Sequence, residues 1–270
     1  MRILGLLFYF LICLSLQPAS AATCDENGLI NDCTFTPEAI QFNLLAIGLC
    51  KGLPNEPTAS EPTDLSKCEI VYDRIGQSGQ RIELTGPGQE VDIGSDLTVP
   101  IAGTYDYSLF AYTNGLQIKK SWSLASEASA YRGGNVVTTG KFCWSINENW
   151  INNDGQPRFA FECGAAPGTA QYTYRDFWAR NGVAGNQCGG KDYWIQANKK
   201  VAPDWNSTAA IVSFRPLNPP LVIGPETRGL DLTFRITDML RLETGSYFGE
   251  PGIFVSDVSV PCAAQDLSTR

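Results

Sequence analysis

Apolar and polar positions alternate with period two along most of this chain. The clearest stretch is Gly103 to Leu124, GTYDYSLFAYTNGLQIKKSWSL. Such alternation predicts strands with one face turned to a core. Asn114-Gly115 divides the stretch, and both residue types tolerate the positive φ that a type I′ turn needs. The pattern therefore predicts a hairpin pairing Thr113 with Leu116, Ala111 with Ile118, Leu109 with Lys120, Tyr107 with Trp122 and Tyr105 with Leu124. A slip of one residue would send this apolar set to water, so pattern and turn agree on one register. Lys120 is the misfit, a cation on the inward face, expected near a sheet edge with its ammonium reaching solvent.

The rest of the chain reads similarly. Thr36-Pro37-Glu38 resembles a helix start, and in the following AIQFNLLAIGLC the residues Ile40, Leu44 and Ile47 fit a helical face. Ile40, Phe42, Leu44 and Ala46 fit a strand face equally well, and the β surroundings favour the strand. Lys51 to Lys67, rich in Pro, Glu, Thr and Ser, reads as an exposed loop. CEIVYDRI follows, then short runs at Arg81 to Thr85 and Gln89 to Ile93 between glycines. Ser126 to Gly134 is small and polar and reads as a linker. NVVTTGKFCWSI then puts Val136, Thr138, Phe142, Trp144 and Ile146 on one face, and Phe159 and Phe161 alternate in Pro157 to Cys163. Gly164 to Thr208 is irregular. Within it Thr173-Tyr174-Arg175-Asp176 has the capping-box pattern and Asn181-Gly182 a stop, which predicts one short helix. Strands resume at Ala209 to Phe214, are broken by Pro216, Pro219 and Pro220, and continue at Gly229 to Thr237 and Ile253 to Val260. Strands this short, with turns this frequent, indicate an all-β sandwich or barrel.

The first residues change the compartment. Met1-Arg2 is a basic start, Ile3 to Leu16 is apolar, and Ala19-Ser20-Ala21 offers small residues for cleavage. Residues 1–21 read as a secretory signal peptide. Thr23 before Cys24 argues against a lipoprotein site, and no later run is long enough for a transmembrane segment. The remainder divides into a β region at 22–125 and a second at 126–270 carrying an aromatic loop insertion at 164–208. The alternative is one sandwich with 126–206 inserted. Loss of Arg2 takes the net charge from −8 to −9, which disfavours nucleic acid and anionic membranes as partners.

Of nine cysteines, Cys13 leaves with the signal peptide. An even set after export reads as disulfides rather than metal ligands. Cys50 and Cys68 bound the Pro-rich loop, and a bridge there closes it. Cys143 and Cys163 are equidistant from Asn153, so a hairpin centred there sets them opposite each other. Cys24 and Cys33 bracket a small N-terminal arm, and Cys188–Cys262 is the pair left by elimination.

The chain has no histidine, so Ser-His-Asp and Cys-His arrangements are excluded. GxSxG and phosphate-cradling glycine loops are also missing. Glu148, Asp154, Glu162, Asp176, Asp192 and Asp204 lie among aromatics and are the candidates for a glycosidase carboxylate pair, although acidic loop residues are usually just solvated. No cofactor is expected. The oxygen-rich turns Asp25-Glu26-Asn27-Gly28 and Asn152-Asn153-Asp154-Gly155 are the candidate calcium ligands, but neither matches a full loop consensus. Trp178, Tyr193, Trp194 and Trp205 fall in the glycine-rich late region, where exposed rings would bind sugar faces or a partner protein. A satellite core under a long loop is the competing role. Asn206-Ser207-Thr208 is an N-glycosylation sequon.

The apolar run ending in Cys50, the loop, Leu65-Ser66-Lys67-Cys68, and then Pro100 and Gly103-Thr104-Tyr105 together resemble secreted, cysteine-bearing β-sandwich proteins of aquatic bacteria. The Pro100-x-x-Gly103-Thr104-Tyr105 piece is similar to the strand starts of Ig-like and transthyretin-like modules. The resemblance spans about Phe42 to Leu124. It implies a surface β-sandwich completed by Asp231-Leu232-Thr233-Phe234 and the closing strand, and it transfers no catalytic residue. The resulting expectation is an antiparallel β-sandwich, Ig-like or jelly-roll-like, stapled by disulfides and carrying one short helix. Its expected role is a secreted or cell-surface structural or adhesion protein, such as an adhesin or a fibre or envelope subunit, acting through self-assembly or surface glycans. Periplasmic residence is also compatible. A carbohydrate-binding module and a carboxylate-pair glycoside hydrolase are the alternatives.

Overall fold

The computed structural model describes residues 33–85, 98, 100–132, 135–151, 155–176, 182–186, 189–227, 230–234, 236, 240–247, 250–258 and 265–269. Among them every regular element is a strand. In chain order these are β1 (Cys33–Phe35), β2 (Ala39–Cys50), β3 (Cys68–Asp73), β4 (Gln80–Leu84), β5 (Gly103–Tyr112), β6 (Gly115–Lys119), β7 (Ser121–Arg132), β8 (Asn135–Ile151) and β9 (Pro157–Gly164). There follow β10 (Thr173–Asp176), β11 (Val183–Gly185), β12 (Lys191–Ile195), β13 (Ala210–Ile223), β14 (Leu230–Phe234), β15 (Leu240–Tyr247), β16 (Glu250–Val258) and β17 (Gln265–Thr269).

One sheet has the order β1-β15-β16-β7-β8-β9. A larger one runs β10-β6-β2-β5-β13-β12-β11, with β3 and β4 also paired to β2. β14 and β17 form a separate ribbon. The pairings are antiparallel except β16 with β7, which meet in parallel at Gly252↔Ser129 and Ile253↔Ala130.

β2 explains the helix–strand ambiguity of its sequence. Its Leu44 pairs with Gln80 on one side and Tyr112 on the other, so β2 is central. Ile40, Leu44 and Ile47 enter a core with Ile82, Phe110 and Ile118, while Leu45, Ala46 and Cys50 enter another with Leu109, Val212 and Phe214. A strand buried on both faces carries a nearly continuous apolar run instead of a clean alternation. The first core also takes Leu124, Ala130, Phe159 and Phe161, and so joins the two large sheets.

The predicted hairpin is not formed. β5 and β6 do not pair with each other: both pair with β2, Tyr112 with Leu44 and Gln117 with Gln41. They are one long strand, antiparallel to β2 and interrupted at Thr113-Asn114. Thr113 N donates to Asn43 O (3.0 Å) and Asn43 N to Thr113 Oγ1 (3.4 Å), so the interruption stays stitched to β2. Neither Asn114 nor Gly115 has the positive φ of a type I′ turn. Lys120 sits where the chain leaves this sheet for the other, and Trp122 and Leu124 pack from β7.

Further expectations change. Of the expected linker Ser126 to Gly134, residues 126–132 are strand: β7 runs to Arg132, and its small residues Ala128, Ser129 and Ala130 are buried. β7 therefore crosses the expected boundary at 125/126, and strands from both sides of that boundary share both sheets. Residues 126–206 are not an insertion either, since they supply β7–β9 to one sheet and β10–β12 to the other. Thr173–Asp176, expected to open a helix, is strand β10, paired with β6. The prolines expected to break the strand after Phe214 are carried within β13, whose register with β5 shifts between Pro216 and Leu221.

Two expected disulfides are present. Cys50–Cys68 and Cys143–Cys163 each join residues directly opposite on neighbouring strands, with Cα atoms 4.0 Å apart. Of the expected pairs Cys24–Cys33 and Cys188–Cys262, the residues Cys24, Cys188 and Cys262 lie outside the described residues, as does the strand expected at Gln89 to Ile93. Lys51 to Lys67 is the mostly exposed loop that its composition suggests, with Pro54, Pro57 and Thr63 buried in it. Lys51 N donates to Lys67 O (3.0 Å), Thr63 N donates to Lys199 O (2.9 Å), and Leu53 and Leu65 pack against the second core.

Candidate functional site

The late aromatic region is built on β12. Successive side chains of a strand point to opposite faces, so Tyr193 and Trp194 part company. Tyr193 is fully buried against Phe214, ring centroids 5.2 Å apart, and its hydroxyl donates to Pro54 O at 3.3 Å. Burial, with Glu56 adding to it, pushes the Tyr193 phenol up to about 12. Trp194, 9 % exposed, packs on the other face with Ala202 and Ile211. Trp205 is half-buried, and its carbonyl accepts from Asn114 Nδ2 (3.0 Å) and Thr208 N (3.3 Å). Trp178 lies outside the described residues. Tyr193 and Trp194 thus belong to two separate core clusters and present no common surface. The signal for this was the alternation of KDYWI, masked by the glycines around it.

The carboxylates are likewise dispersed. Asp176 is buried and accepts a hydrogen bond from the Tyr174 hydroxyl. Burial raises the Asp176 carboxyl above its ordinary value, against the opposing effect of Tyr174. The Tyr174 phenol is itself pushed up by burial and by this carboxylate. Asp192 accepts from Asn186 Nδ2 at 3.1 Å, and Asp204 accepts from Ser207 N at 2.7 Å. Glu148 is exposed, and Glu162 is half-buried opposite Trp144. Asp154 lies outside the described residues, as do the two oxygen-rich turns up to Gly155. Asp176 pairs with Gly115 on β6, whereas Asp192 reaches Phe110 of β5 only across Ser213. At strand rise the Phe110 to Gly115 stretch sets the backbones of these two residues roughly 15 Å apart, against the ~5–10 Å between the carboxyl groups of glycosidase pairs. Among the described residues no group of three His, Cys, Asp or Glu side chains converges as a metal would require.

What the structure does bring together is a polar seam joining the two large sheets. Ser145, fully buried on β8, donates its amide to Lys120 O (2.9 Å), and its hydroxyl accepts from Lys120 N (3.0 Å). The same hydroxyl donates to Gln171 O at 2.5 Å, and Gln171 N donates to Ser145 O at 2.8 Å. Thr173 continues the seam, its hydroxyl accepting from Ala160 N (2.8 Å) and donating to Glu148 O (2.7 Å). Gln156 Nε2 closes it on Asp176 O at 3.0 Å. Gly115 belongs here because the Tyr174 ring lies where a Cβ would stand. Arg175 is buried above the Phe159 ring, 5.9 Å from its centroid. These residues were not legible as a site, because each finds its partner far along the chain.

A second buried polar group lies on β13. Arg215 is buried, and its charge lowers the Tyr112 phenol, which burial, first, and Asp192 push up. Beside it Ser213 Oγ is fully buried without a hydrogen-bond partner. Comparison of the chain with protein-family models, curated proteins and solved structures gives no match.

Proposed function

We propose that this chain is an exported, non-enzymatic β-sandwich protein of the cell surface, Ig-like or jelly-roll-like. Its role on this reading is adhesive or structural, as an adhesin or a fibre or envelope subunit. The observation that carries the reading is how its chemistry-bearing side chains are used. Tyr193 and Trp194 fill cores, Asp176 and Asp192 are held singly by Tyr174 and Asn186, and Ser145 and Thr173 tie one sheet to the other. Side chains spent on cohesion suit a protein whose work is mechanical. Two cross-strand disulfides support an oxidising destination. Self-assembly or attachment to surface glycans supplies the partner.

The test is immunogold electron microscopy of the cells that make the protein, with antibody to the mature chain. Label along filaments or over the envelope is the expected result. A soluble monomer found only in the medium would refute the proposal.

A further inference from the structure

Between Ala202 and β13 the chain makes an exposed turn, Pro203 to Thr208. Asp204 Oδ1 accepts from Ser207 N (2.7 Å), and Asp204 O accepts from the hydroxyls of Ser207 (3.1 Å) and Thr208 (2.9 Å). The turn is anchored to the sheet through Trp205 O, held by Asn114 at the β5–β6 interruption. Asn206 stands in it, exposed, with a carboxamide that makes no hydrogen bond among the described residues. A buried or strand-bound Asn-x-Thr would leave no room for a sugar; Asn206 is exposed and lies outside any strand.

We propose that Asn206 is an N-glycan acceptor, modified by a lipid-diphosphate-linked oligosaccharide donor during export. Asn206-Ser207-Thr208 supplies the acceptor and the hydroxyl two residues on. Asp204 adds a carboxylate two residues before, giving the longer Asp-x-Asn-x-Thr form. In the transfer, the Asn206 amide nitrogen bonds to the anomeric carbon of the first sugar. The bond from that carbon to the diphosphate oxygen breaks, the diphosphate leaves with the electron pair, and one amide proton passes to the transferase's base.

The fold also sets the timing. Once the turn closes, the Thr208 hydroxyl and the Asp204 carboxylate are both engaged within it. A transferase must therefore read the sequon before the turn docks on Asn114. The finished glycan is then left in an exposed turn where it disturbs no packing.

The experiment is intact-mass and peptide mass spectrometry of the full chain from the cells that export it, beside Asn206→Gln expressed in the same cells. The expected result is a mass increase of at least one sugar on the Asn206 peptide, lost in Asn206→Gln. Thermal midpoint and circular dichroism of the variant should match the unmodified fold, since the carboxamide has no partner to lose among the described residues. A wild-type Asn206 peptide of bare mass would overturn the proposal, as would added sugar that persists in Asn206→Gln. Neither result bears on surface localisation, so the two proposals fail separately.

Discussion

Ser145 is the residue on which most depends per atom. Its single buried hydroxyl serves an amide from the corner at Lys120 and a carbonyl from Gln171, a half-buried residue and an exposed one. Ser145→Ala removes both hydrogen bonds, each worth about 0.5–1.5 kcal/mol; chemical denaturation should report a loss of about 1–3 kcal/mol for the two together with an unchanged m-value. Asp176 makes the opposite prediction. Its carboxyl is raised in the folded protein, so folding favours the protonated form. The resulting penalty is absent below the unfolded value of 3.8, grows as pH rises toward the folded value, and is full at neutral pH. Asp176→Asn should therefore melt higher than wild type at pH 7, with the difference vanishing as pH falls below about 4. An advantage that persisted at low pH would assign it to packing instead. Neither role could be read from sequence: Ser145 looks like an ordinary polar strand residue until its distant partners are known, and Asp176 sits in a capping-box pattern that hides its burial in a strand. Tyr193 and Trp194 misled for the converse reason: glycine-rich neighbours disguised a short, fully covered strand.

At the scale of the element, β5 and β6 are the instructive case. Asn114-Gly115 between alternating runs satisfies every local rule for a hairpin, yet the local rule lost to β2. A twelve-residue strand with apolar side chains on both faces needs hydrogen-bonding neighbours along both edges, and β5 with β6 together match its length. Gly115 is then required by Tyr174 rather than by a turn. Gly115→Ala should displace that ring and cost about 1–3 kcal/mol. In a Tyr174→Ala background the same substitution should cost little, and a double-mutant cycle measures the difference. The disulfides were more legible, since each closes a local segment, of sequence separation 18 and 20. Loops of that size carry about 3 kcal/mol on the chain-entropy model. Cys143 and Cys163 are both buried, whereas Cys68 is half-exposed. Mild reductant should open Cys50–Cys68 first, with alkylated Cys50 and Cys68 peptides preceding those of Cys143 and Cys163. The helix expected at Thr173 failed because its hydroxyl bonds across to β9 and β8 instead of capping its own chain.

For the molecule as a whole, the β class and two of its staples were visible in alternation and cysteine placement, while the division into regions was not. Small residues in 126–134 looked like a linker, but small side chains are also what lets β7 accept β16 alongside it. The interleaving that results has a consequence for how the protein comes into being. One edge of β2 is closed early, by β3 and β4, but the other waits for Gly103–Lys119, and β5 waits in turn for β13 at Ala210–Ile223. Chains ruled by such distant pairings fold slowly, in about milliseconds to seconds, because loop closure must precede any reward. Until then Ala39–Cys50 is an apolar ribbon with one edge unpaired, and an edge of that kind is where a second chain can add a strand, so misassembly competes with folding in this interval.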